Sequence, residues 1–322
     1  MSGALVALFS ALLWAVASVL LSVGARRLHV VPLNLVRCLI STAFFWAMLP
    51  FFGGFRALAT IPPSAWLWLV VSVLGLLVVG DTLYLRSMEL AGVSWAMPVA
   101  SISPLWVVLL AALVVDEPLS WSLFAGALLV VIGVAFVGMS TAQRTKGNRT
   151  GRVELPPSRG IARYSQAETI LPVPTDRQQL HKARRSGLLM ALGVSVLWAI
   201  GQVALQPATQ GIHSVVANSV RQPMGALMLL GLTLAKGRWR DLRGLDRKTW
   251  FVIVVASLVG GGLGALLFVM AIQLVGAGRT AVLTSTAPLM AIPFSMLWLQ
   301  ERPNRWTLLG TMLATIGIVL VV

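Results

Sequence analysis

Ten apolar stretches of about 20 residues follow one another through this 322-residue chain, and they constrain its fold more than any other feature. A run of that length crosses a hydrocarbon core of roughly 30 Å at a rise of 1.5 Å per residue. Backbone polar groups in lipid must pair within their own segment, so each run is expected to be a helix. The runs lie near 3–23, 31–52, 65–88, 93–115, 119–140, 187–206, 215–235, 249–272, 279–299 and 304–322. Some connections are a single turn, as at Asp116-Glu117-Pro118 and Glu301-Arg302-Pro303. Only 11% of residues are charged, against about 25% in an ordinary globular chain. This excludes a soluble enzyme, a disordered protein and a nucleic-acid module. The single cysteine, Cys38, rules out an intrachain disulfide.

The chain also repeats itself. At an offset of 184 positions Trp14 falls on Trp198, His29 on His213, Asn34 on Asn218 and Arg37 on Arg221. Trp66 meets Trp250, Gly80 meets Gly264, Pro104-Leu105 meets Pro288-Leu289, and Glu117 meets Glu301. Gly126 and Gly133 meet Gly310 and Gly317 without a gap. That is an internal duplication of a five-helix unit. Five is odd, so the second unit must enter the membrane from the opposite side. Inverted repeats of this kind are the plan of secondary transporters, with a substrate site near the midplane between the halves. Ala15-Val16-Ala17 imitates a signal cleavage site, but no basic segment precedes the first run and the run recurs in the repeat.

The fold class expected is therefore an all-α integral membrane protein, ten transmembrane helices in two inverted five-helix repeats. The domains are 1–140, a linker over 141–186, and 187–322. The linker is polar and basic, carries Pro156-Pro157, Pro172 and Pro174, and is read as disordered. The net charge of +15 sits mainly there and in the loop from Lys236 to Lys248, on one side of the membrane. Arg56 and Arg279 are the basic residues of the opposite loops. Basic loops stay in the cytoplasm, so the linker should be cytoplasmic and both termini extracytoplasmic, in an inner or plasma membrane.

Charges inside spans are costly and mark function by default. Arg37 and Arg221 each lie roughly 9 Å into a span, measured from opposite faces. Arg37 is expected near the cytoplasmic face, paired with Asp81 or Glu301. Arg221 is expected near the outer face, paired with Asp116 or Glu117. These pairs would be two gates, with Arg37, Arg221, Asp81, Glu117 and Glu301 as gating or coupling residues. Snorkelling arginines and helix-end carboxylates are the plain alternative. Trp14, Trp198, Tyr84, Phe268 and Trp95 could wall an aromatic cavity, with Gln202, Asn34, Asn218, Ser101, Thr284 and Ser285 as polar contacts. Pro98, Pro104, Pro288 and Pro293 interrupt two spans, and the matched glycines allow close helix contact.

These residues carry a resemblance. Ala-Leu-Leu-Trp14-Ala in the first helix, an arginine early in the second, Gly80-Asp81-Thr82-Leu83-Tyr84 in the third, Ser103-Pro104-Leu105, Glu117 and Gly126…Gly133 resemble the EamA domain, and the second half repeats the pattern. The chain is thereby similar to the EamA branch of the drug/metabolite transporter superfamily throughout, linker excepted. The resemblance implies transport of small metabolites, amino acids or drugs, through a cavity lined by helices one, three, four, six, eight and nine. Small multidrug relatives couple protons through a glutamate in helix one. Helices one and six here carry no carboxylate, and Asp81 is matched by Ala265.

The reading is a secondary carrier, not an enzyme, that exports a small organic metabolite by alternating access. A flippase for a lipid or lipid-linked headgroup and a non-transporting membrane scaffold are the alternatives. No phosphate-binding loop, nucleophile–base pair or metal-ligand spacing is present, so no cofactor or metal is expected. The partners are a small-molecule substrate, the bilayer, a proton or counter-substrate, and a second copy of the chain as a candidate homodimer. Nucleic acid is not among them.

Overall fold

The computed structural model describes residues 2–24, 30–91, 93–150, 177–242, 245–290 and 305–322, and every structural statement concerns these. α1 is Ser2–Gly24 and α2 is Val30–Met48. α3 spans 63–91, with a π-helical turn at Val73–Val78. α4 runs as Val93–Ala100 and Ser103–Val114, broken at 101–102 where Pro104 starts the second part. Proline suits a first helical turn, whose N–H groups have no intrahelical partner. α5 is Trp121–Thr150, α6 Arg177–Ala208 and α7 Ser214–Ala235. α8 spans 247–275, with a π-helical turn at Ser257–Gly264. α9 is described from 277 to 290, and α10 is Arg305–Val321. The segment expected as linker is thus helical at both ends, to Thr150 and from Arg177. The core of the linker lies outside the described residues.

No strand occurs among the described residues, and large apolar side chains such as Leu5, Phe9, Leu113, Leu227, Phe251 and Val319 face outward. That outer surface suits lipid rather than water. Five helical stretches are long and apolar enough to cross a membrane: Gly3–Leu21, Val31–Phe52, Pro63–Met88, Ala183–Ala208 and Arg247–Thr284. Pro98–Val114, Trp121–Val137 and Leu308–Val321 are shorter apolar helices. α7 is more polar, and it survives by burial: Ser214 to Gln222 form one unbroken buried run. The molecule is a ten-helix membrane bundle of two inverted five-helix repeats.

The inversion is visible in which residues touch. In α5 and α10, Gly126 lies against Gly317 and Gly133 against Gly310. One index rises as the other falls, so these equivalent helices are antiparallel. α2 and α7 behave alike: Trp46 Nε1 donates to the Ser219 carbonyl at 3.0 Å, and Phe52 stacks on His213 at 4.3 Å. Cys38 lies near Gly225. Contacts between unlike helices come in swapped pairs. α1 packs on α8, where Ser10 Oγ donates to the Gly264 carbonyl at 2.9 Å. Its counterpart α6 packs on α3, where Gly201 meets Gly75 and Leu76. The two halves are therefore interleaved about a local two-fold axis.

Candidate functional site

A cavity of about 280 Å3 lies between the halves. α1 and α6 contribute Trp14, Trp198 and Gln202, and α2 and α7 contribute Asn34, Arg37, Cys38, Ser41, Arg221 and Gln222. α3 and α8 contribute Leu76, Leu77, Asp81, Gly260, Gly261, Ala265 and Phe268. Most of this lining is matched by the repeat: Trp14 with Trp198, Arg37 with Arg221, Cys38 with Gln222, Leu76-Leu77 with Gly260-Gly261, and Asp81 with Ala265. The cavity sits on the two-fold axis, and each half supplies one wall. Among the described residues α2 and α7 take the place expected for α4 and α9.

The tryptophans are placed by the other half. Trp14 packs on Phe268 with ring centroids 4.9 Å apart, and Trp198 packs on Tyr84 at 4.9 Å. Each ring covers a glycine. A Cβ on Gly264 would stand 2.8 Å from Trp14 Cδ1, and one on Gly80 would stand 2.7 Å from Trp198 Cδ1. The π-helical turns matter here, because they release carbonyls from the helical ladder at sites that are often functional. The Gly260 carbonyl accepts the Trp14 indole N–H at 3.0 Å. The Trp198 indole is directed instead at the Asp81 carboxylate.

The arginines repeat one motif with one difference. Arg37 Nη1 donates to Asn34 Oδ1 at 2.9 Å, and Asn34 Nδ2 donates to Asp81 Oδ2 at 3.4 Å. Arg37 Nε is buried without a hydrogen-bond partner. Arg221, 3% exposed, donates from Nη1 to Asn218 Oδ1 at 3.0 Å and from Nε to Ser72 Oγ at 3.1 Å. Asn218 Nδ2 donates to the Ser214 and Ala265 carbonyls at 3.0 and 3.3 Å, and alanine stands where Asp81 stands in the first half. A carboxylate thus answers Arg37 through one asparagine. Among the described residues Arg221 is answered by neutral groups. Arg37 and Arg221, expected at two separate gates, both line this one cavity, and the described partners of Arg221 are Ser72 and Asn218 rather than Glu117. Arg37 reaches Asp81 through Asn34 rather than by a direct pair.

Glu117 lies at one end of the bundle. Its Oε2 accepts the Gly278 N–H at 3.1 Å, at the start of α9. Gly276 turns the chain there with φ 85°, and a Cβ would stand 2.7 Å from Glu117 Cδ. Both the backbone conformation and the space require glycine. Burial raises the Glu117 pKa above the ordinary carboxylate value, against the N–H groups of Gly278, Arg279 and Ala277 and the Arg279 charge, which lower it. The same end is stitched by Gln206 Oε1, which accepts the Ala277 N–H at 2.9 Å. Gln273 Nε2 donates to the Thr209 and Ile212 carbonyls at 3.0 and 2.7 Å.

Of the other residues expected at the site, Gln202 lines the cavity, and its Oε1 is buried without a partner. Tyr84 and Asn218 stand behind the wall, supporting Trp198 and Arg221. Ser101, Thr284 and Ser285 do not line it. Thr284 and Ser285 bond the Thr280 and Val282 carbonyls of their own helix, each at 2.7 Å. The Trp95 side chain and Glu301 lie outside the described residues. Sequence reasoning missed Cys38, Ser41, Gln222 and the two π-helical turns. The repeat could have flagged Cys38 and Gln222, which follow the matched arginines. Among the described residues no cluster of His, Cys, Asp or Glu could hold a metal ion.

The sequence model of the EamA-like transporter family matches residues 1–139 and 185–322. An uncharacterized transporter of Archaeoglobus fulgidus is 24% identical over 318 residues, covering 98% of this chain and 96% of that protein. The riboflavin transporter ImpX of Fusobacterium nucleatum is 26% identical over 134 residues, 41% of this chain and 44% of that protein. A solved crystal structure at 19% identity superposes with a TM-score of 0.69, covering 99% of this chain and 96% of its own.

Proposed function

The chain belongs to the EamA-like transporter family, within the drug/metabolite transporter superfamily, and on that premise we propose that it is a secondary carrier exporting a small organic metabolite by alternating access. The observation that carries this reading is the cavity on the two-fold axis, walled by matched residues of two inverted halves. Rocking one half against the other opens either end while the lining stays in place. Trp14, Trp198 and Phe268 form the apolar wall, Gln202 and Asn34 orient the cargo, and Arg37, Arg221 and Asp81 set the charge. Glu117 with Gly276 and Gly278 is a gate at one end.

The basic loops support a plasma-membrane orientation, an inner membrane where there are two, with both termini outside and the central linker in the cytoplasm. The Glu117 gate is then the outer one. A proton or counter-substrate drives the cycle. The test is comparative metabolomics of cells and medium, with wild type, Arg221→Gln and empty vector at matched membrane levels in a host lacking homologues. A compound depleted in cells and enriched in medium with wild type alone is the expected result. An unchanged medium removes export, and a changed lipid-leaflet composition beside it puts a flippase in its place.

A further inference from the structure

The cavity breaks its own symmetry in charge. Its described lining holds two guanidinium groups, Arg37 and Arg221, and one carboxylate, Asp81. The carboxylate is already engaged, by the Asn34 amide and the Trp198 indole, on the side that serves Arg37. Arg221 is buried against Ser72 and Asn218, which are neutral. An ionised group taken out of water is costly unless an opposite charge or strong hydrogen bonds answer it. One positive charge is therefore left over in the described lining of the cavity. Two unpartnered polar atoms adjoin it: Arg37 Nε, a donor, and Gln202 Oε1, an acceptor.

Resting on the carrier reading above, we propose that the cargo is a small organic monoanion, held as the missing counter-ion of Arg221. Its charged group, a carboxylate or a phosphate diester anion, lies between Arg221 and the unpartnered Nε of Arg37. Arginine offers planar, forked donors suited to such groups. A hydroxyl or N–H of the cargo donates to Gln202 Oε1. Its apolar body lies against Trp14, Trp198 and Phe268, whose faces suit flat rings. A cation has no place here, since the carboxylate that would receive it is spent. A zwitterion finds an anion site but no second site for its ammonium.

The test uses the purified full chain in detergent, with ligand affinity read by thermal shift and calorimetry. The probes share one ring and differ in charge: 4-hydroxyphenylacetate, phenylacetate, phenylacetamide, phenylalanine and phenethylamine. The two monoanions bind, the hydroxylated one more tightly, and the amide, zwitterion and amine bind roughly 30-fold or more weakly, the loss expected when a buried charge is left unpaired. Equal binding of phenylacetate and its amide overturns the proposal. So does a preference for the amine. Dihexanoyl phosphatidylglycerol, a phosphate diester with a single negative charge, separates the two sources of the anion. If it binds and phenylacetate does not, a lipid headgroup is the monoanion, the anion site stands, and metabolite export falls.

Asp81→Asn keeps an acceptor for Asn34 and raises the cavity charge by one. It should shift preference from phenylacetate towards the dianion phenylmalonate. Mere structural damage would weaken both alike, and that outcome overturns the charge argument. Transport is read apart from binding, by counterflow in proteoliposomes. Carboxylate binding without any counterflow keeps the site and sinks the carrier reading.

Discussion

Trp14 and Trp198 are held by residues more than 100 positions away in the sequence, and each depends on a glycine of the other half. Gly264→Ala puts a Cβ 2.8 Å from Trp14 Cδ1 and 2.9 Å from Nε1. The ring must move, and overpacking of this kind costs about 1–3 kcal/mol. Gly193→Ala meets nothing within 4 Å, so it should change stability by no more than about 1 kcal/mol and in the favourable direction, since alanine is the better helix former. Thermal unfolding of the two variants in one detergent checks the contrast; equal melting temperatures would contradict the packing. Trp14→Phe keeps an aromatic ring beside Phe268 but leaves the Gly260 carbonyl without its donor. About 1 kcal/mol should be lost, with the aromatic wall retained. The tryptophans and glycines were legible as a matched set, because they share one offset. Their exchange of partners was not, because an offset reports equivalence and not contact.

At the scale of elements, two devices join the halves. α5 and α10 cross on four glycines, and a Cβ on Gly317 would stand 2.7 Å from the Gly126 carbonyl and 2.8 Å from Val130 Cγ2. Helices in lipid associate by such close backbone approach rather than by a hydrophobic drive. Gly317→Leu should therefore part them and lower the melting temperature more than Gly231→Leu, whose site is open. The second device is Glu117 on the first turn of α9. Its pKa is raised by burial, so the folded state holds its proton more tightly than the unfolded chain. The stability this contributes is full below the unfolded value and is lost as pH rises through the folded value. Glu117→Gln, permanently neutral, should thus gain on wild type as pH rises. A melting-temperature difference that stays flat across pH would refute it. The helices themselves were legible from apolar length, and the inversion from an odd count. Helix rotation was less so: Thr284 and Ser285 return their hydroxyls to their own helix, and no period in so uniformly apolar a run announces that.

At the scale of the whole molecule, duplication makes a symmetric cavity and divergence makes a cargo site. The sequence puts the two arginines at different depths, yet both line one cavity, and reach accounts for it. Two positions each roughly 9 Å inside a 30 Å core are only about 12 Å apart in depth, and long guanidinium side chains close much of that gap. What sequence did show was Asp81 opposite Ala265, and the structure gives that difference its weight. Asn34 and Asn218 occupy equivalent places and hold equivalent arginines. One donates to a carboxylate and the other only to backbone carbonyls. Ala265→Asp would restore the symmetry, placing a carboxylate beneath Asn218 and cancelling the surplus charge. Selectivity should then collapse, with phenylacetate falling towards its amide by roughly 30-fold while the aromatic wall still binds the ring. Ala265→Asn, of similar size and without charge, separates crowding from electrostatics. If both variants lose phenylacetate equally, volume and not charge governs the site. If the aspartate variant alone does, the carrier's preference is set by one position at which its two halves ceased to match.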